Sequence, residues 1–216
     1  MVHNTPGLRV EHLKPGTPRS VRNRVTRAAL LQAAARIVGE EGYAGATVAR
    51  ITRMAGVAQG TFYNHFPTRQ ALLEELLPAL GQDLVDHIAR QAQGIDDPLA
   101  REEQHFRAFF TFLHDRPEFY RVLHEAEHFA PAAYWTHHEK VQRGYVRWLR
   151  GLQDRGLLGA VYDEAELIAT AQFLMGARDY IAMLYKQKDA TAAAPVPEAV
   201  VRAYMRLLRG HLFRQR

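Results

Sequence analysis

Two stretches of this 216-residue chain hold side chains at spacings that do chemistry. The first is His124-Glu125-Ala126-Glu127-His128, a literal HExxH. On a helix its two histidines fall one turn apart on one face, as zinc ligands do, with Glu125 in the place of a general base. A zinc site needs a third protein ligand, and His137, His138 and Glu139 follow downstream. The second stretch is Ala58–Arg69. Gln59, Thr61, Tyr63, Asn64 and His65 offer hydrogen-bond donors, and no carboxylate interrupts them. A helix lying in a DNA groove needs that chemistry, because its neighbours are phosphates and base edges. Gly60 lets backbone come close to a ligand, and a helix N-terminus favours an anion.

The elements around the second stretch give it a frame. Val48, Ile51 and Ala55 recur at helical spacing, and Gly56-Val57 breaks the run with a residue that tolerates a left-handed turn. A second short helix is predicted from about Ala58 to His65, with Phe62 and Phe66 on its inward side. Pro67-Thr68 closes it, and Thr68 is the expected N-cap of the next helix. Two helices, a short Gly-containing turn and an apolar seam make a helix-turn-helix. The HExxH stretch has a weaker frame: a short helix in a chain with 11 histidines, headed by this helix-turn-helix. A satisfied or exposed histidine pair is the preferred reading. The alternatives are a zinc-dependent hydrolase with an accessory DNA-binding domain and a metal-responsive regulator.

Thr47, Ile51, Ala55, Gly56, Val57, Gly60, Thr61, Phe62, Tyr63, His65, Phe66 and Arg69 stand in an order that resembles the DNA-binding domain of the TetR family of bacterial regulators. The resemblance covers about Arg22 to Leu77. Ala58 stands where the family often has Ser, so a side-chain cap worth about 1 kcal/mol is missing. Arg69 stands where Lys is common. The resemblance implies operator DNA as a partner. Gln59 and Thr61 are the candidates for base contacts, and Thr47, Tyr63, His65 and Arg69 for phosphates. Gly60 and Asn64 complete the expected DNA-facing set.

Charge agrees with that placement. Residues 1–70 carry ten Lys/Arg against three Asp/Glu, and the rest carries eighteen against twenty, for a net charge of +5. The basic part is the part with the helix-turn-helix, as nucleic-acid binding requires. There are no cysteines, which excludes disulfide and thiolate chemistry. No apolar run approaches the roughly 18 residues that span a bilayer, and the N-terminus has no apolar signal core, so a cytoplasmic protein with no membrane partner is expected.

Along the chain, residues 1–19 are expected to be a flexible basic arm broken by Pro6, Pro15 and Pro18. Residues 20–67 are the predicted helix-turn-helix domain and 68–216 a ligand-binding and dimerisation domain. The first helix is predicted to end at Gly42, with Tyr43 packing under the helix that follows. Thr68–Gln93 is helical around Pro78. Further helices are expected from a cap at Asp96 or Asp97 to near Arg116-Pro117, carrying Phe106 to Leu113, and across Glu118–His128, Ala132–Arg155, Asp163–Lys188 and Pro197–Phe213, with a small-residue loop over 189–196. Nothing alternates as a strand does. The fold class is all-α, with about nine helices.

In the resembled family the C-terminal domain binds a small ligand and dimerises. The last two helices are therefore the expected homodimer interface. Leu167, Ile168, Ala171, Leu174, Met175, Ile181 and Leu184 on one, with Val200, Tyr204, Leu207, Leu208 and Leu212 on the other, exceed what one buried stripe needs. Aromatic and polar side chains are mixed between Phe106 and Trp148, as in small-molecule pockets. Phe109, Tyr120, His124, His128, Tyr145, Trp148 and Arg178 are the candidate effector contacts. Arg178 is expected to meet an acidic group of the ligand or a carboxylate across the dimer. The effector is expected to be apolar or aromatic, with an acyl thioester as one candidate. No catalytic residue, metal or cofactor is assigned, so the chain is expected not to be an enzyme. Repression, relieved by the effector, is the expected mode, with activation as the alternative.

Overall fold

A computed structural model describes residues 18–186 and 196–213. Among them the regular structure is helical: α1 (Arg19–Gly45), α2 (Val48–Ala55), α3 (Gln59–Tyr63), α4 (Arg69–Gln91), α5 (Pro98–Asp115), α6 (Glu118–Phe129), α7 (Pro131–Asp154), α8 (Glu164–Lys186) and α9 (Glu198–Leu207), with a π-helical turn at Leu208–Leu212. Extended pairing is confined to an isolated antiparallel bridge between Leu158 and Phe213. The all-α expectation holds. The arm expected over 1–19 lies outside the described residues up to residue 17, and the small-residue loop lies outside them up to residue 195.

The chain forms two compact units. Among the described residues, one holds those up to Gln82 together with Asp115–His137, and the other holds Asp83–His114 and those from His138 onward. The expected functional division at 67/68 is continuous in sequence, whereas these units are not. Helix α6 is grouped with α1–α3, and α4 passes from one unit to the other between Gln82 and Asp83.

In the first unit, α1 buries Leu30, Ala33, Ala34, Ile37 and Val38. The helix does not stop at Gly42 as expected. It breaks there, at φ 81° and ψ 172°, and resumes to Gly45. The positive φ strains any side chain at this position, and a β-carbon would also push aside two side-chain ends of α6. A β-carbon would sit 2.7 Å from Glu125 Oε2 and 2.8 Å from Arg121 Nη2. Beyond the break Tyr43 is fully buried. Its hydroxyl donates to the Val122 carbonyl at 3.2 Å, and its ring stacks on Phe129 at 5.4 Å. Both partners belong to α6, so α6 grips the end of α1.

In the second unit, Asp97 caps α5 by accepting from Ala100 N–H at 2.7 Å. Asp163 and Glu166 form a reciprocal capping box at the start of α8, with bonds of 2.8 and 2.9 Å. The core draws on Phe106, Phe110, Leu149, Leu152, Leu167, Ala171, Val201 and Leu208.

Candidate nucleic-acid interface

Three local features build the α2–α3 turn. Thr47 opens α2, its hydroxyl accepting from Arg50 N–H at 3.4 Å. Gly56 ends it in the left-handed conformation, φ 69° and ψ 32°, while Val57 N–H returns to the Thr52 carbonyl at 3.0 Å. That left-handed step at no steric cost is why the chain turns here and not one residue earlier. Ala58 precedes α3 with no side-chain cap, as its methyl requires. The regular part of α3 is five residues long, shorter than the helix expected from Ala58 to His65. Ile51, Phe62 and Phe66 are fully buried beneath the two helices, and Arg27 stacks over the Phe66 ring at 4.9 Å.

With that seam inward, the expected donor face turns outward. Thr47, Gln59, Gly60, Tyr63 and Asn64 are exposed, Tyr63 to 57%, while Thr61 and His65 are half-buried. Apart from its chain neighbours and its own helix backbone, nothing among the described residues lies within 4 Å of where a Gly60 side chain would begin, so that backbone is open to approach. His65 is held below the ordinary histidine range by desolvation and by the nearby charge of Arg27. It therefore faces solvent as a neutral imidazole at neutral pH, with one N–H to donate.

Arg69, expected at a phosphate, has partners within the chain. Its guanidinium turns into the protein, Nε donating to the Ala46 carbonyl at 2.7 Å and Nη2 to the Tyr43 carbonyl. Those carbonyls terminate α1, so Arg69 ties the start of α4 to the end of α1 and is not extended toward a phosphate. Thr68 caps α4 as expected, accepting from Ala71 N–H at 3.0 Å. Arg53, in the last turn of α2, is exposed and was not singled out in the sequence.

The side chains of the HExxH stretch have other partners within the chain. Glu125 Oε2 accepts the Tyr43 backbone N–H at 2.8 Å, and Oε1 pairs with Arg121 Nε at 2.6 Å. The same arginine donates to the Glu40 carbonyl at 3.0 Å. The carboxylate that would serve as a base is thus a fastener between α6 and α1. His124 packs its ring against Tyr120 at 4.1 Å, and His128 is exposed. Among the described residues no three His, Cys, Asp or Glu side chains gather as metal ligands do.

The candidate effector contacts divide between the units. Tyr120, His124 and His128 belong to the first, and Phe109, Tyr145, Trp148 and Arg178 to the second. Within the second, Tyr145 and Trp148 meet edge to face at 6.3 Å, Arg178 lies 5.3 Å from the Tyr145 ring, and Phe109 meets Phe110 at 5.1 Å. Arg178 meets a carboxylate of its own chain. It pairs with Glu102 of α5, and both are buried, at 7% and 1% exposure. Tyr204 donates to the same carboxylate oxygen at 2.7 Å, and His105 Nδ1 stands 3.6 Å from the other. Burial pushes the Glu102 carboxyl up, but Arg178 and the bonds from His105 and Tyr204 more than offset it, holding the group below the ordinary carboxylate range.

Of the residues expected at a dimer interface, Leu167, Ala171, Leu174, Tyr204, Leu208 and Leu212 are buried within the chain itself. Leu184 and Leu207, also expected at that interface, are instead exposed, and α8 carries further exposed apolar side chains. Phe173 is 77% exposed and Tyr180 60%, with Met183 and Leu184 further along and Leu207 of α9 at 62%.

Comparison with known proteins accords with this geometry. Residues 30–76 match the family described as "Bacterial regulatory proteins, tetR family". The chain is 31% identical over 132 residues to the HTH-type transcriptional regulator BetI 1 of Chromohalobacter salexigens, covering 58% of this chain and 61% of that one. The chain spans less than two thirds of the length of that curated relative. Among solved structures it is similar to the fatty acid degradation regulator FadR of Bacillus halodurans, with TM-score 0.70, 21% identity, and coverage of 83% of this chain and 96% of that one. It is also similar to AibR, solved in complex with isovaleryl coenzyme A and operator DNA, with TM-score 0.63, 18% identity and coverage of 84% and 97%. At these identities the two structures speak for the fold.

Proposed function

We propose that this chain, which is similar to the TetR family of bacterial regulators over residues 30–76, is a homodimeric, sequence-specific DNA-binding repressor released from its operator by a small effector. The observation that carries the reading is the outward face of the α2–turn–α3 unit. Gln59, Tyr63 and Asn64 stand exposed on it, and no carboxylate occurs between Ala58 and Arg69. In this reading Gln59 and Thr61 contact base edges, while Thr47, Tyr63 and His65 hold phosphates, joined by Arg53. The basic segment over 1–19 adds contacts along the DNA. The protein works in the cytoplasm and is not an enzyme.

Two copies present two α3 helices, which suits a palindromic site with half-sites about 34–36 Å apart. The exposed apolar face of α8, with Leu207 of α9, is the dimer interface in this reading. The effector binds more tightly to the conformation in which the recognition helices are wrongly spaced, and so shifts the population away from the DNA-bound state. The second compact unit holds the effector through Tyr145, Trp148 and Arg178. An acyl thioester is the effector class we favour, supported by the isovaleryl coenzyme A bound to the structurally similar AibR.

The test is selection of DNA fragments by the purified protein at physiological salt. One palindromic sequence should be recovered. Binding with no sequence preference, collapsing as salt rises, would leave electrostatic affinity alone and would sink the reading.

A further inference from the structure

We infer that the effector is held through an uncharged oxygen acceptor, the carbonyl of an amide, ester or thioester, which receives the Tyr145 hydroxyl and the Arg178 Nε–H, and not through a carboxylate. This rests on the reading of the second unit as the effector-binding unit.

The argument starts from Arg178. A buried arginine in the apolar α8 invites the assignment of an anionic ligand, but its charge is already matched. Glu102, at 1% exposure, accepts from Arg178 Nη2 and from the Tyr204 hydroxyl on Oε1, and His105 stands at its second oxygen. A ligand carboxylate entering here would bring a second negative charge beside Glu102 where water cannot screen it. Glu102 thus makes the site neutral in advance.

Two donors are left over. Among the described residues, neither the Tyr145 hydroxyl nor Arg178 Nε has a hydrogen-bond partner, and neither atom reaches solvent. Buried polar atoms without a partner are rare and costly, so a folded chain retains them for a ligand or an ordered water. Both belong to one assembly. The guanidinium carbon of Arg178 lies 5.3 Å from the Tyr145 ring, 5.6 Å from Phe106 and 6.0 Å from Tyr204. Tyr145 stays protonated, since burial raises its pKa further than Arg178 lowers it. Arg178 Nε can only donate and the Tyr145 hydroxyl has a hydrogen to give, and a carbonyl oxygen, with two lone pairs, can accept from both. The rings of Phe106, Tyr145 and Tyr204 near the guanidinium suit a flat or apolar body behind that carbonyl.

The test uses matched acyl probes of four to twelve carbons, together with benzoyl and phenylacetyl compounds, each as primary amide, methyl ester and free acid. Binding is read by thermal shift and by Trp148 fluorescence, on wild type and Tyr145→Phe. Neutral carbonyl probes should stabilise wild type, their free acids should not, and Tyr145→Phe should weaken the neutral probes about tenfold. Without any probe, Tyr145→Phe should melt at the wild-type temperature or above, because it removes a donor that has no protein partner. The inference is overturned if the free acids bind better than their amides and esters. It is overturned equally if no probe binds, or if Tyr145→Phe leaves the neutral probes unaffected. A lowered melting temperature of ligand-free Tyr145→Phe also overturns it, since a water or protein group would then be the hydroxyl's partner. Operator binding by wild type is measured in parallel, so that failure of the regulator reading is seen separately.

Discussion

The carboxylate of Glu125 accepts the backbone N–H of Tyr43 at 2.8 Å, across 82 positions of sequence. The bond satisfies a donor that the break at Gly42 takes out of the regular pattern of α1. Arg121 holds the other oxygen and also reaches the Glu40 carbonyl, so one side of α6 closes over the end of α1. A motif that reads as a hydrolase base is thereby a structural clasp in the unit that carries the DNA-facing helices.

Glu125→Ala should therefore destabilise the protein by about 1–3 kcal/mol, the cost of stranding a buried donor and freeing Arg121. Glu125→Gln keeps an acceptor for Tyr43 and should lose less. Denaturant unfolding of the two variants checks this. An alanine variant as stable as wild type would remove the clasp.

The Glu102–Arg178 pair gives a pH dependence with a definite sign. The folded-state pKa of Glu102 lies below its ordinary 4.5, so its ionised form stabilises the fold. That contribution is fully present above about pH 4.5 and fades as pH falls through the lower folded value. Glu102→Gln leaves Arg178 buried without its counter-charge and should cost about 3–5 kcal/mol at neutral pH. The gap between wild type and variant, followed by urea unfolding, should narrow steadily in acid. A gap that stays constant down to acid unfolding would mean that the charge of Glu102 contributes nothing.

On the DNA-facing side, Gln59→Ala should mainly reduce discrimination between operator and non-operator sequence, by about 1–3 kcal/mol if its contact is bidentate. Tyr63→Phe should instead weaken binding to all sequences alike, since it removes one phosphate donor. Competition binding with operator and scrambled duplexes separates the two. Unchanged site preference in the Gln59 variant would take that residue out of the reading set.

For assembly, Phe173 and Tyr180 are the sensitive positions. Phe173→Glu with Tyr180→Asp puts two charges on the exposed apolar face of α8 and should yield monomers by sedimentation, with loss of operator affinity. A double variant that sediments as wild-type dimer would place the interface elsewhere.

The sequence by itself determined what is local. The left-handed Gly56, the Thr47 and Thr68 caps, the outward donors of α3 and the all-helical pattern all depend on residues within one or two turns of each other. Such contacts are spelled by spacing, because a helix brings positions three and four apart together whatever else the chain does. Tertiary structure decided the partners. Periodicity shows that α8 has an apolar face, but not that Leu167, Ala171 and Leu174 meet their own chain while Phe173 and Tyr180 stay outside. Nor does it show that Arg69 caps the end of α1, that Glu125 serves Tyr43, or that Arg178 is met by Glu102, 76 positions away. A charged side chain carries no record of the partner that will neutralise it. The packing of helices far apart in sequence makes that choice.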